Sequence, residues 1–326
     1  MLHLRGFSFA LLCLSVGMTA PAHSQVRLKA IGAFEPGHIV VQSFQKFIEK
    51  VNREGKGIVE IEYIGGPEVI PPNEQGNAVR SGFVDIQEGP SAYYLGQVPG
   101  ADVITGYQNT PEELRKNGAT AILSAHWVKR LNAYLLAIPD SGSSNKLYLS
   151  REPKIKEDGD LDLQGMKVRI TPTFRSIVQQ YNGVGISMSP GDVYTALERN
   201  IIQGVGWPSI AVADADWHGF AKYRIDPGFL NGAYVMIVNN DKWKSLPQNV
   251  KDLLTRIAAE WEVTSRKFIQ EQEAREDKEL KEHGLKSVQL SLESEKRFTD
   301  YASKEVWERL RKADPELADS LKGKAY

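Results

Sequence analysis

The chain has 326 residues with 40 basic and 41 acidic side chains, a net charge of −1, and no basic block that would mark it for nucleic acid. Its one cysteine, Cys13, lies in the apolar run near the start, which leaves no disulfide framework, thiolate catalysis or cysteine-held metal for the rest of the chain. An apolar content of 41% is that of an ordinary globular protein.

Residues 1–24 read as a secretory signal. Met1 to Arg5 is a short basic start, and Gly6 to Ala20 is apolar but too short to cross a bilayer comfortably. Ala22-His23-Ser24 places small residues where a signal peptidase cuts, and Leu12 before Cys13 is too large for lipoprotein processing. The expected mature chain is periplasmic, with about 300 residues, enough for one large or two modest domains.

Val26 to Ile31 reads as a strand, punctuated by Pro36-Gly37-His38. A helix follows, with Val40, Phe44, Phe47, Ile48 and Val51 on one stripe. Val59, Ile61 and Tyr63 alternate with Glu60 and Glu62 as in a half-buried strand. A Gly/Pro-rich loop over 65–72 leads to a short helix over 73–81, and 83–86 is the next strand. A second unit of the same kind begins after Ser150, with a strand over 165–170 and a helix opened by Ser189-Pro190-Gly191-Asp192 as cap, first-turn proline and acid. That helix carries Val193, Leu197 and Ile201, and strands follow over 202–207 and 234–238. Residues 248–283 form one long helical pattern whose apolar face thins to charge beyond Phe268. That charge run suits a solvated face, a coiled-coil partner or a strut. Strands alternating with helices indicate an α/β fold of crossover units.

Familiar catalytic and metal motifs fail. Asp158, Asp160 and Asp162 imitate a calcium loop, but its sixth and twelfth positions hold Leu163 and Arg169. His38, His126, His218 and His283 belong to no HExxH helix, and no GxSxG elbow or Walker loop is present. Gly183-Val184-Gly185 and Gly204-Val205-Gly206 lack the third glycine of a dinucleotide loop.

Leu163-Gln164-Gly165-Met166-Lys167-Val168-Arg169-Ile170-Thr171-Pro172 resembles the "LxGxKxRxP"-like strand of the periplasmic solute-binding proteins of TRAP (tripartite ATP-independent periplasmic) transporters, the DctP-type family. The likeness continues through residues 192–197, Ile202-Gln203-Gly204, residues 217–223 and 239–247, covering nearly all of the mature chain. It implies a two-lobed periplasmic-binding-protein fold with crossing hinge strands and a long strut helix. Lobe I would take residues 25–144 and 235–272, and lobe II residues 145–234 and 273–326. The ligand would be a small carboxylate held in the cleft, with delivery to the membrane permease subunits of the transporter. The implied protein is no enzyme, needs no cofactor, has no metal-ligating residue of its own singled out, with a metal bridging ligand and protein left open, binds no nucleic acid, and is a monomer with a dimer as alternative. A ligand sensor for a signalling receptor, a periplasmic enzyme acting on an organic acid and an ABC-type binding protein are the other readings.

Arg169 is the leading site residue. In the family the arginine of this strand forms a two-pronged salt bridge with the ligand carboxylate, and guanidinium geometry suits that role. The residues taken alone favour a structural pair with an acid such as Asp192, and the surrounding motif turns the reading toward the ligand. Trp207 stands where the family often has asparagine, which points to a flatter or more apolar ligand, an aromatic, oxo or hydroxy acid. No second arginine occurs near Asn145 and Lys146, unlike the sialic-acid branch. Glu68, Ser91 and Tyr93 lie in loops at strand ends, which line clefts in open α/β sheets. Phe229 and Asn231 enter the later crossing strand, a region that often touches ligand in the family.

Overall fold

The computed structural model describes residues 25–324, so the expected signal segment lies outside the described residues. The chain opens with β1 (Val26–Gly32), α1 (Ile39–Glu54), β2 (Val59–Tyr63), α2 (Pro72–Ser81) and β3 (Ile86–Pro90). β1 pairs in parallel with both β2 and β3, as crossover units require. The strand expected at 83–86 begins only at Ile86. Gly82 ends α2 at φ +76 and leaves Phe83 65% exposed in the turn. Next come α3 (Pro111–Lys116), α4 (Ala119–Leu131) and β4 (Ala133–Ala137).

The chain then crosses to a second sheet with β5 (Ser144–Leu149), a short hairpin of β6 (Lys154–Ile155) and β7 (Leu161–Asp162), then β8 (Lys167–Ile170), α5 (Arg175–Gln180), β9 (Val184–Ser187), α6 (Val193–Glu198) and β10 (Gly204–Pro208). The helix expected from Ser189 is shorter than its pattern. Residues 190–192 form a 3-10 turn, the Ser189 hydroxyl makes no capping bond, and Asn200 at φ +53 ends the element. Ile201 is consequently 50% exposed rather than part of a buried stripe. β11 (Tyr223–Asn231) completes this sheet, and β12 (Tyr234–Asn239) carries the chain back. After α7 (Asn240–Ser245), α8 (Gln248–Glu282) runs for 35 residues, followed by β13 (Lys286–Gln289), α9 (Leu292–Ala313) and α10 (Pro315–Leu321).

The first sheet has the order β2-β1-β3-β12-β4 and the second β13-β11-β5-β10-β8-β9. This is the expected two-lobed α/β fold. Two short passages, over 138–143 and 232–233, join the sheets directly, and α8 makes a third crossing to β13. One face of the first sheet buries Leu28, Ile86, Met236 and Val238 against Phe44 and Phe47 of α1 and Leu254 and Ile257 of α8. α9 packs on β11 and α5, whereas α10 packs on α4 beside the first sheet.

The strut is explained by its acids as much as by its apolar stripe. Near the first sheet, Glu262 is 1% exposed and accepts from Arg115 at 2.8 and 2.9 Å and from the Ile138 N–H at 2.8 Å. Near the second, Glu276 accepts from the N–H groups of Val212 and Ala213 at 2.6 and 2.7 Å. Asp277 binds Arg224 at 2.7 Å. The charge run beyond Phe268 is therefore partly a set of fasteners, each satisfying a backbone or cation that burial would otherwise leave bare.

Candidate functional site

The cleft forms where strands of both sheets end. Phe34 follows β1, Ser91 and Tyr93 follow β3, Thr171 follows β8, and Trp207 lies on β10. Loops at strand ends are the usual binding edge of such sheets. Together with Thr173, Phe174 and Tyr234 they enclose a cavity of about 40 Å³. Two wider spaces adjoin it. One of about 380 Å³ shares Arg169 and Tyr93, and one of about 480 Å³ shares Phe34 and Trp207.

Arg169 is held by register. β8 runs parallel to β10 with Arg169 beside Val205, which sets the side chain against the next residues of that strand. It is 2% exposed, and its guanidinium lies 4.9 Å from the Trp207 ring centroid. Nε donates to the Met188 carbonyl at 3.3 Å, and one terminal nitrogen reaches the Gly206 carbonyl at 3.5 Å, a long contact. Among the described residues no carboxylate lies within ion-pair distance, and Asp192 is exposed at the surface. Burial pulls the Arg169 pKa down, and the nearby Tyr93 phenol opposes that shift. An arginine nonetheless stays charged in a protein.

Beside this cation stand Ser91 Oγ and Thr171 Oγ1, both shielded from water and without a partner among the described residues, and the buried Tyr93 OH, which lies within hydrogen-bond reach of the guanidinium. Buried polar groups are normally satisfied, so orphans beside a cation with no acidic partner make this the candidate ligand site. Burial pushes the Tyr93 phenol up, so it remains a neutral donor.

Trp207 supplies the apolar wall. Its indole N–H is spent on the Ile210 carbonyl at 3.1 Å, so only the ring's carbon face is left for the cleft. Phe34 at 6.0 Å and Trp217 at 4.9 Å meet it edge to face and fix its plane. Of the residues lining the 40 Å³ cavity, Arg169 is the only one with a charge.

The other expected positions lie elsewhere. Glu68 is exposed and folds back to accept from the Gly66 N–H at 2.8 Å, and it lines none of these spaces. Phe229 packs against Phe174 at 5.1 Å and Phe298 at 5.4 Å, behind the cavity wall. Asn231 donates to the Tyr107 carbonyl and, with Phe229, borders a separate open groove of about 570 Å³ along α9. The crossing strand turns between the two spaces, so residues before Gly232 face the groove and Gly232 to Tyr234 face the cavity.

Several residues of the cleft carried no signal as single residues. His38 caps α1, its Nδ1 accepting from the Val40 N–H at 3.2 Å, and burial lowers its pKa to about 3. It stacks on Phe34 at 4.0 Å. The Asn145 amide donates to the Asn231 carbonyl at 2.8 Å, and Lys146 pairs with Asp226 at 2.6 Å. Asp102, 1% exposed, accepts from Thr173 at 2.8 Å and from Arg309, tying the two sides of the cleft together. Applying the strand-end rule to β1 as well as to β3 would have found Phe34 and His38.

The profile of the bacterial extracellular solute-binding proteins, family 7, matches residues 129–313. A monocarboxylate 2-oxoacid-binding periplasmic protein of Nostoc is 23% identical over 248 residues, covering 72% of this chain and 64% of that protein's length. A TRAP transporter solute-binding protein of Bordetella bronchiseptica, described with copurified calcium and picolinate, superposes with a TM-score of 0.79 at 19% identity, over 92% of this chain and 90% of that one. An extracytoplasmic solute receptor of Bordetella pertussis that binds pyroglutamic acid gives a TM-score of 0.77 at 15% identity, over 90% and 98%.

Proposed function

Because this chain belongs to the bacterial extracellular solute-binding proteins of family 7, which are receptors and not enzymes, we propose that it captures a small, flat organic monocarboxylate between its two lobes and delivers it to a TRAP membrane permease. The observation that carries this reading is a fully buried guanidinium with no acidic partner among the described residues, set beside the Tyr93 phenol and the orphan hydroxyls of Ser91 and Thr171. A carboxylate ligand would take a charge-assisted, two-pronged bond from Arg169, and Ser91, Tyr93 and Thr171 would satisfy its oxygens. The Trp207 face and the Phe34 edge suit a planar body, such as an aromatic or 2-oxo acid, better than a polyhydroxylated sugar acid. The absence of an acid from the lining gives a ligand ammonium nothing to pair with.

The relatives support the class: one is named for 2-oxoacid monocarboxylates, one was found with picolinate and one with pyroglutamic acid, all small monocarboxylic acids. The calcium found with the Bordetella bronchiseptica protein is not carried over, since no carboxylate lines this cavity to hold a hard cation. Residues 25–144 with 235–272, and 145–234 with 273–326, are the proposed lobes. The Asp102–Thr173 hydrogen bond would form as they close. Export through a cleaved segment over 1–24 would place the receptor in the periplasm.

Native mass spectrometry of the purified protein, followed by denaturation and identification of the released molecule, tests this directly. An intact monocarboxylic acid at one per chain is expected. A protein that arrives empty and shows no thermal shift across an organic-acid panel would defeat the assignment of Arg169.

A further inference from the structure

Near Tyr234 of the cavity lining, the first passage between the sheets is tied by an acid that no ligand contact explains. Asp140 sits in this passage at φ +54, a left-handed conformation that an aspartate keeps only when its surroundings hold it there. Its N–H donates to Ser265 Oγ on α8 at 2.9 Å, and its Oδ1 accepts from Ser43 Oγ on α1 at 2.6 Å. The remaining oxygen, Oδ2, and the Oε1 of Glu88 on β3 are shielded from water and have no hydroxyl, amide or backbone partner. The two carboxyl groups lie within hydrogen-bond reach of each other. Asp140 is 0% exposed and Glu88 2%.

Among the described residues no cation pairs with either carboxyl group. β2 offers the Tyr63 phenol, the turn after β3 offers Tyr94, and β12 offers Tyr234. Glu35 and Glu68 lie beyond Tyr63. α1 contributes Ser43, while its Lys46 is turned onto the Phe268 ring at 4.1 Å. α8 contributes Ser265, and its neighbouring acid Glu262 is already taken by Arg115. Two bare carboxylates enclosed in such a site would repel without compensation, whereas one proton between them satisfies both.

We propose that Glu88 and Asp140 share a single proton and act as a protonation lock on the passage between the lobes. With the proton in place, Glu88 donates to Asp140 and the passage is pinned at once to β3, α1 and α8. When the proton leaves to solvent, the pair goes from one negative charge to two and the pin loosens. The lock does not depend on which ligand the cleft takes.

Burial raises Glu88 well above the usual carboxyl range and Asp140 to about 6. The folded chain thus holds a proton that the unfolded chain has already lost. The pair's own contribution to stability is fully present below the ordinary carboxyl range and declines as pH rises from there through the folded-state values.

Thermal unfolding of the purified chain from about pH 5 to about pH 9, in the wild type, Glu88→Gln and Asp140→Asn, reads this directly. Gln at position 88 supplies a donor that needs no proton, and Asn at position 140 does the same while tolerating positive φ. The wild type is expected to lose about 5 °C more in Tm over that range than either variant. Parallel curves for all three would overturn the proposal. So would an alkaline-side rise in the wild-type Tm on replacing choline chloride by sodium chloride or calcium chloride, absent from the variants, since a cation would then occupy the pair. Should neither variant fold, infrared spectroscopy of the wild type decides. A neutral-carboxyl carbonyl band persisting at about pH 7 is expected, and its absence refutes the shared proton.

Discussion

Two buried arginines of the same sheet make opposite use of their charge. Arg224 on β11 is met by Asp226 at 2.9 and 3.1 Å and by Asp277 at 2.7 Å, while Lys146 and Ser287 also converge on Asp226. Arg169 on β8 is more deeply buried, yet it has only backbone carbonyls, the neutral Tyr93 phenol and the Trp207 face. The first is a closed network that joins β5, β11, β13 and α8. The second is an open valence. A buried cation costs free energy unless it is compensated, which is why Arg169 rather than Arg224 is the proposed ligand contact.

The contrast is broken most forcefully from the closed side. Arg224→Ala removes the one cation that bridges Asp226 and Asp277, leaving them Lys146 and Lys281 alone, and is expected to cost about 3 kcal/mol in urea unfolding, with ligand affinity per folded molecule unchanged. Arg169→Ala should do the reverse. Affinity for the acid recovered from the protein, read by calorimetry, is expected to fall by about a hundredfold or more, with no loss of stability in the empty protein. An Arg169→Ala protein that bound normally but unfolded early would make the two arginines alike. Trp207→Asn replaces the carbon wall with a polar amide and should weaken a flat acid by about tenfold in the same titration.

Acid sharpens the comparison further. The Asp226 carboxyl is held below its usual range by Lys146, Ser287 and Arg224, against the upward push of burial. A depressed carboxyl contributes stability above its unfolded value and loses it as pH falls through its folded one. The wild type should therefore weaken below about pH 4, and Arg224→Ala should show less of that loss. Glu68→Gln is the smallest change. With its side chain on its own loop, ligand affinity should stay within about twofold of wild type.

Much of the scaffold was legible because it is written in periodicity. The α1 stripe from Val40 to Val51, the alternation over 59–63 and the length of α8 follow from apolar spacing alone. Boundaries set by left-handed caps were not legible in that pattern. Gly82 delayed β3, and Asn200 cut α6 short of Ile201. In the site, the motif around Arg169 and the strand-end positions of Ser91 and Tyr93 led to the cavity, and Trp207 proved to be its wall. Phe229 and Asn231 missed it because a strand turning between two spaces shows one face to each, and sequence does not say which residue makes the turn.

The sequence by itself determined the α/β class, the strut and the family, since these rest on local pattern and an ordered set of short motifs. Only the tertiary structure decided which acids answer which bases. Glu262 and Glu276 looked like solvated helix charge and became fasteners, Glu68 looked like a cleft residue and became a loop brace, and Glu88 and Asp140 met across 52 positions of chain. Charge pairing is settled by distance and by exclusion of water, and both are properties of the packed chain rather than of any segment of it.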